Sequence, residues 1–236
     1  MLHGYQYDSG RIAEFYTGWS NLAEQTGAFA VVYPEGIDRS WNGGFCCGKA
    51  YQQDVDDVKF ITEMLGRINQ DHNVDQSRQY VAGFSNGSFL AQRLLADKPD
   101  LFTAGAAIMT SIGEDGGEKL DISSATAPLV IVTGSQDAYT NHSLSKRGFR
   151  FLEPEQTLSA WSQQLDVGAA ETAEGANYQQ TVYTDTDDRP LLIYRLYDEQ
   201  HRWPEWRLWM FKREVSPFTK EIWELLRNLG HSTLDY

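Results

Sequence analysis

Short apolar runs alternate along the chain with stretches whose apolar residues recur at helical spacing, and this alternation limits the fold more than any other feature. Tyr80–Phe84, Gly105–Met109, Leu129–Thr133 and Leu191–Tyr197 read as strands, with Phe29–Tyr33 as a further strand upstream. Between them Ile12, Phe15, Trp19 and Leu22 keep a helical period, as do Val58, Ile61, Leu65 and Ile68, then Leu158, Trp161 and Leu165, and finally Ile222, Leu225 and Leu229. Strands that alternate with helices form a parallel sheet, because each parallel crossover must return over a face of the sheet and a helix covers that face. The expected fold is therefore α/β, a mostly parallel sheet flanked by helices, and the helical stripes are its core faces.

A chain of 236 residues can bury one continuous core, and no linker divides it, so residues 1–236 read as a single domain. Two stretches lack a period. Glu35–Tyr51 is glycine-rich and holds Trp41, Asn42 and both cysteines, and a loop of that length in a compact domain is commonly functional. Asp166–Arg189 is polar and acidic and reads as a surface excursion before the last strand.

The chemistry centres on Gly83-Phe84-Ser85-Asn86-Gly87, which leaves the strand Tyr80–Phe84 and enters the helical stretch Ser88–Ala96. A serine in so tight a strand-to-helix turn is lifted above the sheet edge, and its flanks must be small so that helix and strand can approach. The bland alternative is a serine that only caps the helix. A serine hydroxyl is a weak nucleophile without a base. In this arrangement an acid and then a histidine follow, each just beyond a strand. Asp137 lies beyond Leu129–Thr133 and His201 beyond Leu191–Tyr197, so both meet the edge that carries Ser85. Asp198 is the rival acid; the strand placement favours Asp137. His72, His142 and His231 read as surface residues.

Acyl transfer also needs donors for the oxyanion. The backbone N–H of Asn86 is one, and the N–H of Tyr5, in Leu2-His3-Gly4-Tyr5, is the other; His3 is then structural. Trp203, Trp206 and Trp209 follow His201, and Trp41 sits in the long loop. Trp41 and Trp203 are candidate substrate contacts, able to stack on sugar or aryl groups, or else anchors that pack an irregular segment.

Charge and cysteine usage narrow the partners. With 33 acidic against 20 basic residues the net charge is −13, which repels phosphate backbones and anionic lipid, so neither nucleic acid nor membrane is an expected partner. No apolar run approaches the ~20 residues of a membrane span, and no signal peptide is visible at the start. Cys46 and Cys47 are adjacent, so they form a vicinal disulfide or remain a pair of thiols; the residues leave both open.

Taken together, these motifs resemble the extracellular esterases related to polyhydroxybutyrate depolymerases and to feruloyl and acetylxylan esterases. The resemblance is carried by LHGY at Leu2–Tyr5, VVYPEG at Val31–Gly36, WNGGFCCG at Trp41–Gly48, VDDVKFI at Val55–Ile61, GFSNGS at Gly83–Ser88, GSQD at Gly134–Asp137 and HRWP at His201–Pro204. It implies an α/β-hydrolase fold and ester hydrolysis through an acyl-enzyme, with neither metal nor other cofactor. It implies an extracellular or periplasmic setting as well. The substrate would be an ester: a polyester, a feruloyl or acetyl group on polysaccharide, or a small molecule. Two departures stand out. Asp198-Glu199-Gln200 stands where relatives carry a glycine run before the histidine and Glu205 where they carry glycine after Trp-Pro, with Arg202 and Glu205 putting charge at the rim. Of the apolar strand that leads relatives into the LHG loop only Met1 and Leu2 remain, so the sheet is expected to lack its N-terminal strands. A non-catalytic carbohydrate-binding or interaction module and a serine peptidase of the same fold are the alternatives.

Overall fold

The computed structural model of the protein describes residues 1–6, 8–116, 118–139, 149–205 and 215–229. Its strands are β1 (Tyr80–Phe84), β2 (Ala104–Ile108), β3 (Gly113–Asp115), β4 (Glu118–Lys119), β5 (Leu129–Gly134), β6 (Phe149–Phe151), β7 (Gly168–Glu174), β8 (Tyr178–Thr184) and β9 (Pro190–Tyr197). The main sheet runs in the order β1-β2-β5-β9-β8-β7. β1, β2, β5 and β9 are parallel neighbours, and β8 and β7 add an antiparallel hairpin to the far edge.

The parallel strands are nearly continuous in apolar residues because both of their faces are covered. Val81, Ala107, Leu129, Ile131 and Leu192 point to one side, where they pack with Leu90 and Leu94 of α5 (Asn86–Asp97), Ile61 of α4 (Asp57–Asp71) and Trp161 of α6 (Pro154–Gln164). Ala82, Ala106, Ile108, Val130, Val132 and Ile193 point to the other, against Trp19 and Leu22 of α2 (Trp19–Thr26) and Ile222 and Leu226 of α7 (Pro217–Asn228). The two-residue alternation of a strand thus divides one apolar run between two cores.

Three expectations are corrected. Phe29–Tyr33 is not a strand: apolar sequence becomes a strand only where a neighbour completes the ladder, and the backbone bond to this segment is the one Val32 accepts from the Met1 ammonium (2.8 Å). Between this segment and β1 lies an apolar cavity of about 360 Å³. Along the same edge, Leu2 makes a single parallel bridge to Gly83.

Asp166–Arg189 is no loose excursion, since most of it is the β7–β8 hairpin; its polarity reflects an outer hairpin with largely exposed side chains. The stripe Ile12–Leu22 does not run as one helix. Gly18, at φ 69°, ends α1 (Gly10–Thr17) and starts α2. Ile12 and Phe15 face solvent, Phe15 at 66% exposure, so only Trp19 and Leu22 of that stripe reach the core.

Candidate active site

Ser85 joins β1 to α5 with φ 51° and ψ −120°, a conformation that non-glycine residues seldom adopt. The structure holds it there from both sides. The Ser85 N–H donates to the Ile108 carbonyl (2.9 Å), and the Ser85 carbonyl accepts from Ser88 N–H (2.8 Å). The neighbouring glycines are required by contact. A Cβ on Gly83 would lie 2.1 Å from the Gly87 carbonyl oxygen, and one on Gly87 would lie 2.4 Å from that of Leu2 and 2.5 Å from that of His3. The serine hydroxyl does not cap the helix. It lies 2.7 Å from His201 Nε2 instead.

His201 and Asp137 reach this point from two parallel strand ends. β5 and β9 run in register to Gly134 and Tyr197, and the loops beyond them are zipped together by Ser135 N–H to Tyr197 O (2.8 Å) and Gln136 N–H to Glu199 O (3.0 Å). Gly134 is needed where the loops cross, since a Cβ there would stand 2.3 Å from the Glu199 oxygen. As a result the buried Asp137 places Oδ2 2.7 Å from His201 Nδ1. A carboxylate only accepts, so Nδ1–H donates to Asp137, and Nε2 is left to accept from the Ser85 hydroxyl. Asp198, the rival acid, accepts from Ser135 Oγ (3.0 Å) and Gln136 Nε2 (2.7 Å). The structure therefore brings Ser85, His201 and Asp137 into one hydrogen-bonded line.

The segments expected to supply oxyanion donors meet at the start of α5. Asn86 is the first residue of that helix, and Leu2–His3 lies against Gly87 in its first turn. Around Tyr5, the Gly4 N–H donates to Asp8 Oδ2 (2.6 Å) and the Gln6 N–H to the Arg39 carbonyl (3.1 Å), so both flanks of that residue are tied. Tyr16 also donates to Asp8, and burial first, then Asp8, holds its phenol well above the ordinary range. His3 is structural as expected: Nε2 accepts from Gly36 N–H (3.0 Å), and Nδ1–H donates to the Gly4 carbonyl (2.6 Å).

Trp41 and Trp203 do not form the expected substrate wall. Both are buried and present no face to a ligand. The Trp203 indole donates to Thr219 Oγ1 (3.2 Å) and its ring packs on Phe218 and Phe84. Trp41 is a brace. Its backbone N–H donates to Asn86 Oδ1 (2.7 Å), its carbonyl accepts from Asn86 Nδ2 (2.9 Å), and its indole N–H donates to the His3 carbonyl (3.0 Å). Asn86 and the His3 segment, far apart in sequence, are thereby tied to one buried residue, Asn86 through the Trp41 backbone and His3 through the indole.

Cys46 and Cys47 are disulfide-bonded, and Cys46 O also accepts from Asn86 Nδ2 (3.4 Å). Behind this loop, Asp57 accepts from Asn42 N–H (2.6 Å); burial pushes its carboxyl up. Sequence reasoning missed Tyr139, an exposed ring 4.9 Å from the His201 ring. His142, His231, Trp206 and Trp209 lie outside the described residues. Among the described residues no cluster of His, Cys, Asp or Glu is arranged to hold a metal ion, and no helix is long and apolar enough to cross a membrane.

Sheet, strained serine turn and relay together define an α/β-hydrolase fold with a Ser–His–Asp arrangement at the strand ends. Structural comparison agrees on the fold. The acetyl xylan esterase from Aspergillus awamori superposes with a TM-score of 0.62 over 90% of this chain and 87% of its own, at 16% identity. A variant of Arabidopsis thaliana SOBER1 superposes at 0.51 over 90% and 96%, at 14% identity.

In sequence, the chain is similar to poly(3-hydroxyalkanoate) depolymerase C of Paucimonas lemoignei, 26% identical over 74% of this chain and 42% of the relative. It is likewise similar to the probable acetylxylan esterase A of Aspergillus flavus, 32% identical over 43% of this chain and 34% of the relative. The chain thus spans less than half the length of these curated relatives. No protein-family model matches it.

Proposed function

We propose that the protein is a serine carboxylic-ester hydrolase working through an acyl-enzyme. The observation that carries this reading is the pair of 2.7 Å hydrogen bonds joining Ser85 Oγ to His201 and His201 to the buried Asp137. His201 takes the Ser85 proton as Oγ attacks the ester carbonyl, and Asp137 holds the imidazole in the tautomer that can accept it. The N–H groups of Asn86 and Tyr5 stabilise the oxyanion, helped by the positive end of α5. His201 then returns the proton to the leaving alcohol. Water attacks the acyl-enzyme by the same route, releasing the acid and restoring Ser85.

The similarity to a polyhydroxyalkanoate depolymerase and to acetylxylan esterases supports a substrate among polyesters or acetyl groups carried on polysaccharide, and the resemblance of the motifs alone adds feruloyl esters. A Cys46–Cys47 disulfide fits an oxidising compartment and supports an extracellular or periplasmic setting. The test is hydrolysis of p-nitrophenyl acetate by the purified chain, with a fluorophosphonate label located by peptide mass. Labelling at Ser85, and loss of both label and turnover in a folded Ser85→Ala protein, is the expected result. Turnover that survives Ser85→Ala overturns the mechanism. Faster cleavage of a matched amide than of the ester would point to a peptidase.

A further inference from the structure

Of the large apolar and aromatic side chains exposed among the described residues, Tyr139 is the one whose ring meets the Ser–His–Asp line. It is 68% exposed. Its backbone is nevertheless anchored, because its N–H donates to Asp137 Oδ1 (2.8 Å), the same carboxylate that bonds His201. The His201 ring has two aromatic neighbours, Phe84 at 5.4 Å and Tyr139 at 4.9 Å. Phe84 packs on the buried Trp203, whereas Tyr139 turns most of its surface to solvent. Phe15 is almost as exposed, but it is Tyr139 whose exposed ring borders the imidazole of His201.

Resting on the ester-hydrolase reading, we propose that Tyr139 is a specificity-determining residue that stacks on the face of a neutral ring in the leaving alcohol of the ester. The mechanism fixes where that alcohol sits. His201 Nε2 must protonate the leaving oxygen, and general acids act within ~2.6–3.2 Å of the atom they protonate. An alcohol bound there begins beside the imidazole, and any ring it carries extends over the neighbouring face of Tyr139. A linear alkyl alcohol covers much less of that face. Charge selects against anionic ligands, because Asp198 lies in the loop next to Tyr139's own, where Glu199 is paired with Arg202, and the chain carries a net −13. An anionic ring is disfavoured there, and the neutral rings that an ester's alcohol can carry are an aryl group and a saccharide.

The two sources are separated by comparing benzyl acetate and an acetylated methyl xyloside, each against ethyl acetate. Stacking on an aromatic face corresponds to a factor of about three to ten. Tyr139→Ala is expected to lower the kcat/KM preference for at least one ring ester over ethyl acetate by that factor, chiefly through KM. The arm that responds identifies the ring. Tyr139→Phe, which keeps the face and removes the hydroxyl, is expected to retain the preference. Equal losses on all three esters, seen in kcat, would make Tyr139 a buttress for His201 and overturn the proposal. So would a preference that Tyr139→Ala leaves unaltered. Parent protein that hydrolyses none of the three esters overturns the hydrolase reading itself, and the role of Tyr139 with it.

Discussion

Substituting Gly87 by alanine tests whether close approach of the His3 segment to α5 is a requirement of catalysis. The added methyl would stand 2.4 Å from the Leu2 carbonyl oxygen and 2.5 Å from that of His3, where ordinary contact begins near 3.4 Å. Both obstacles are backbone, so no rotamer change relieves them. The segment carrying Tyr5 must instead retreat by about 1 Å, and a displacement of that size at a reacting centre costs on the order of 10²-fold. Should the Tyr5 donor be lost outright, the cost is ~2.7–4 kcal/mol, or about 10²–10³ in kcat.

Stability changes less than rate. Overpacking costs ~1–3 kcal/mol, while replacing a helical glycine by alanine returns about 1 kcal/mol. A shift of 0–2 kcal/mol moves the melt by a few degrees, at roughly 2–4 °C per kcal/mol for a chain of this size. Gly66 is the control. It lies in α4 with nothing within 4 Å of an added Cβ, so Gly66→Ala should raise the melting temperature slightly and leave kcat alone. The assay is ester turnover per phosphonate-titrated site, run beside a thermal melt. A folded Gly87→Ala protein that turns over within a few-fold of the parent would refute the requirement.

Three further outcomes are expected. Asp137→Asn should lower kcat by about 10⁴ at neutral pH because the amide favours the wrong imidazole tautomer, whereas Asp198→Asn, one loop away, should change it only a few-fold; reversed effects would reassign the acid. Trp41→Phe removes the indole N–H donated to the His3 carbonyl, which leaves a buried acceptor unpaired at ~1–3 kcal/mol of stability; kcat should fall about tenfold, with KM nearly constant, and equal changes in both would argue against a brace. Asp57 has a raised carboxyl in the folded chain, chiefly through burial, so the native state holds that proton more tightly than the unfolded one. Its contribution to stability is therefore lost as pH rises from the ordinary 3.8 through the raised value, and Asp57→Asn should remove that slice of the unfolding free-energy profile.

Much of the site was legible in the sequence because its logic is local. Ser85 sits between an apolar strand and a helical stripe, flanked by the small residues that so tight a turn needs, although the bond that holds its N–H comes from Ile108 of β2. Asp137 and His201 could be placed at one sheet edge because β5 and most of β9 are apolar runs that read as strands, and as parallel neighbours they end side by side. His3 was rightly set aside as structural.

Other features depended on neighbours that no local pattern encodes. Phe29–Tyr33 and Tyr178–Thr184 both hold strand-forming residues, yet only the latter finds a ladder partner, β9, and becomes a strand. Trp41 and Trp203 have the composition of a substrate wall, but their exposure depends on Phe60, Phe218 and His3, which arrive from distant parts of the chain. Tyr139 reads as a plain turn residue until His201, brought in by β9, is set beside it. Strand period, helix period and the order of the three site residues follow from short-range stereochemistry, so the sequence alone determined them. Which apolar segments pair, which aromatic rings are covered and which ring borders the site depend on packing between distant segments, and only the tertiary structure decided them.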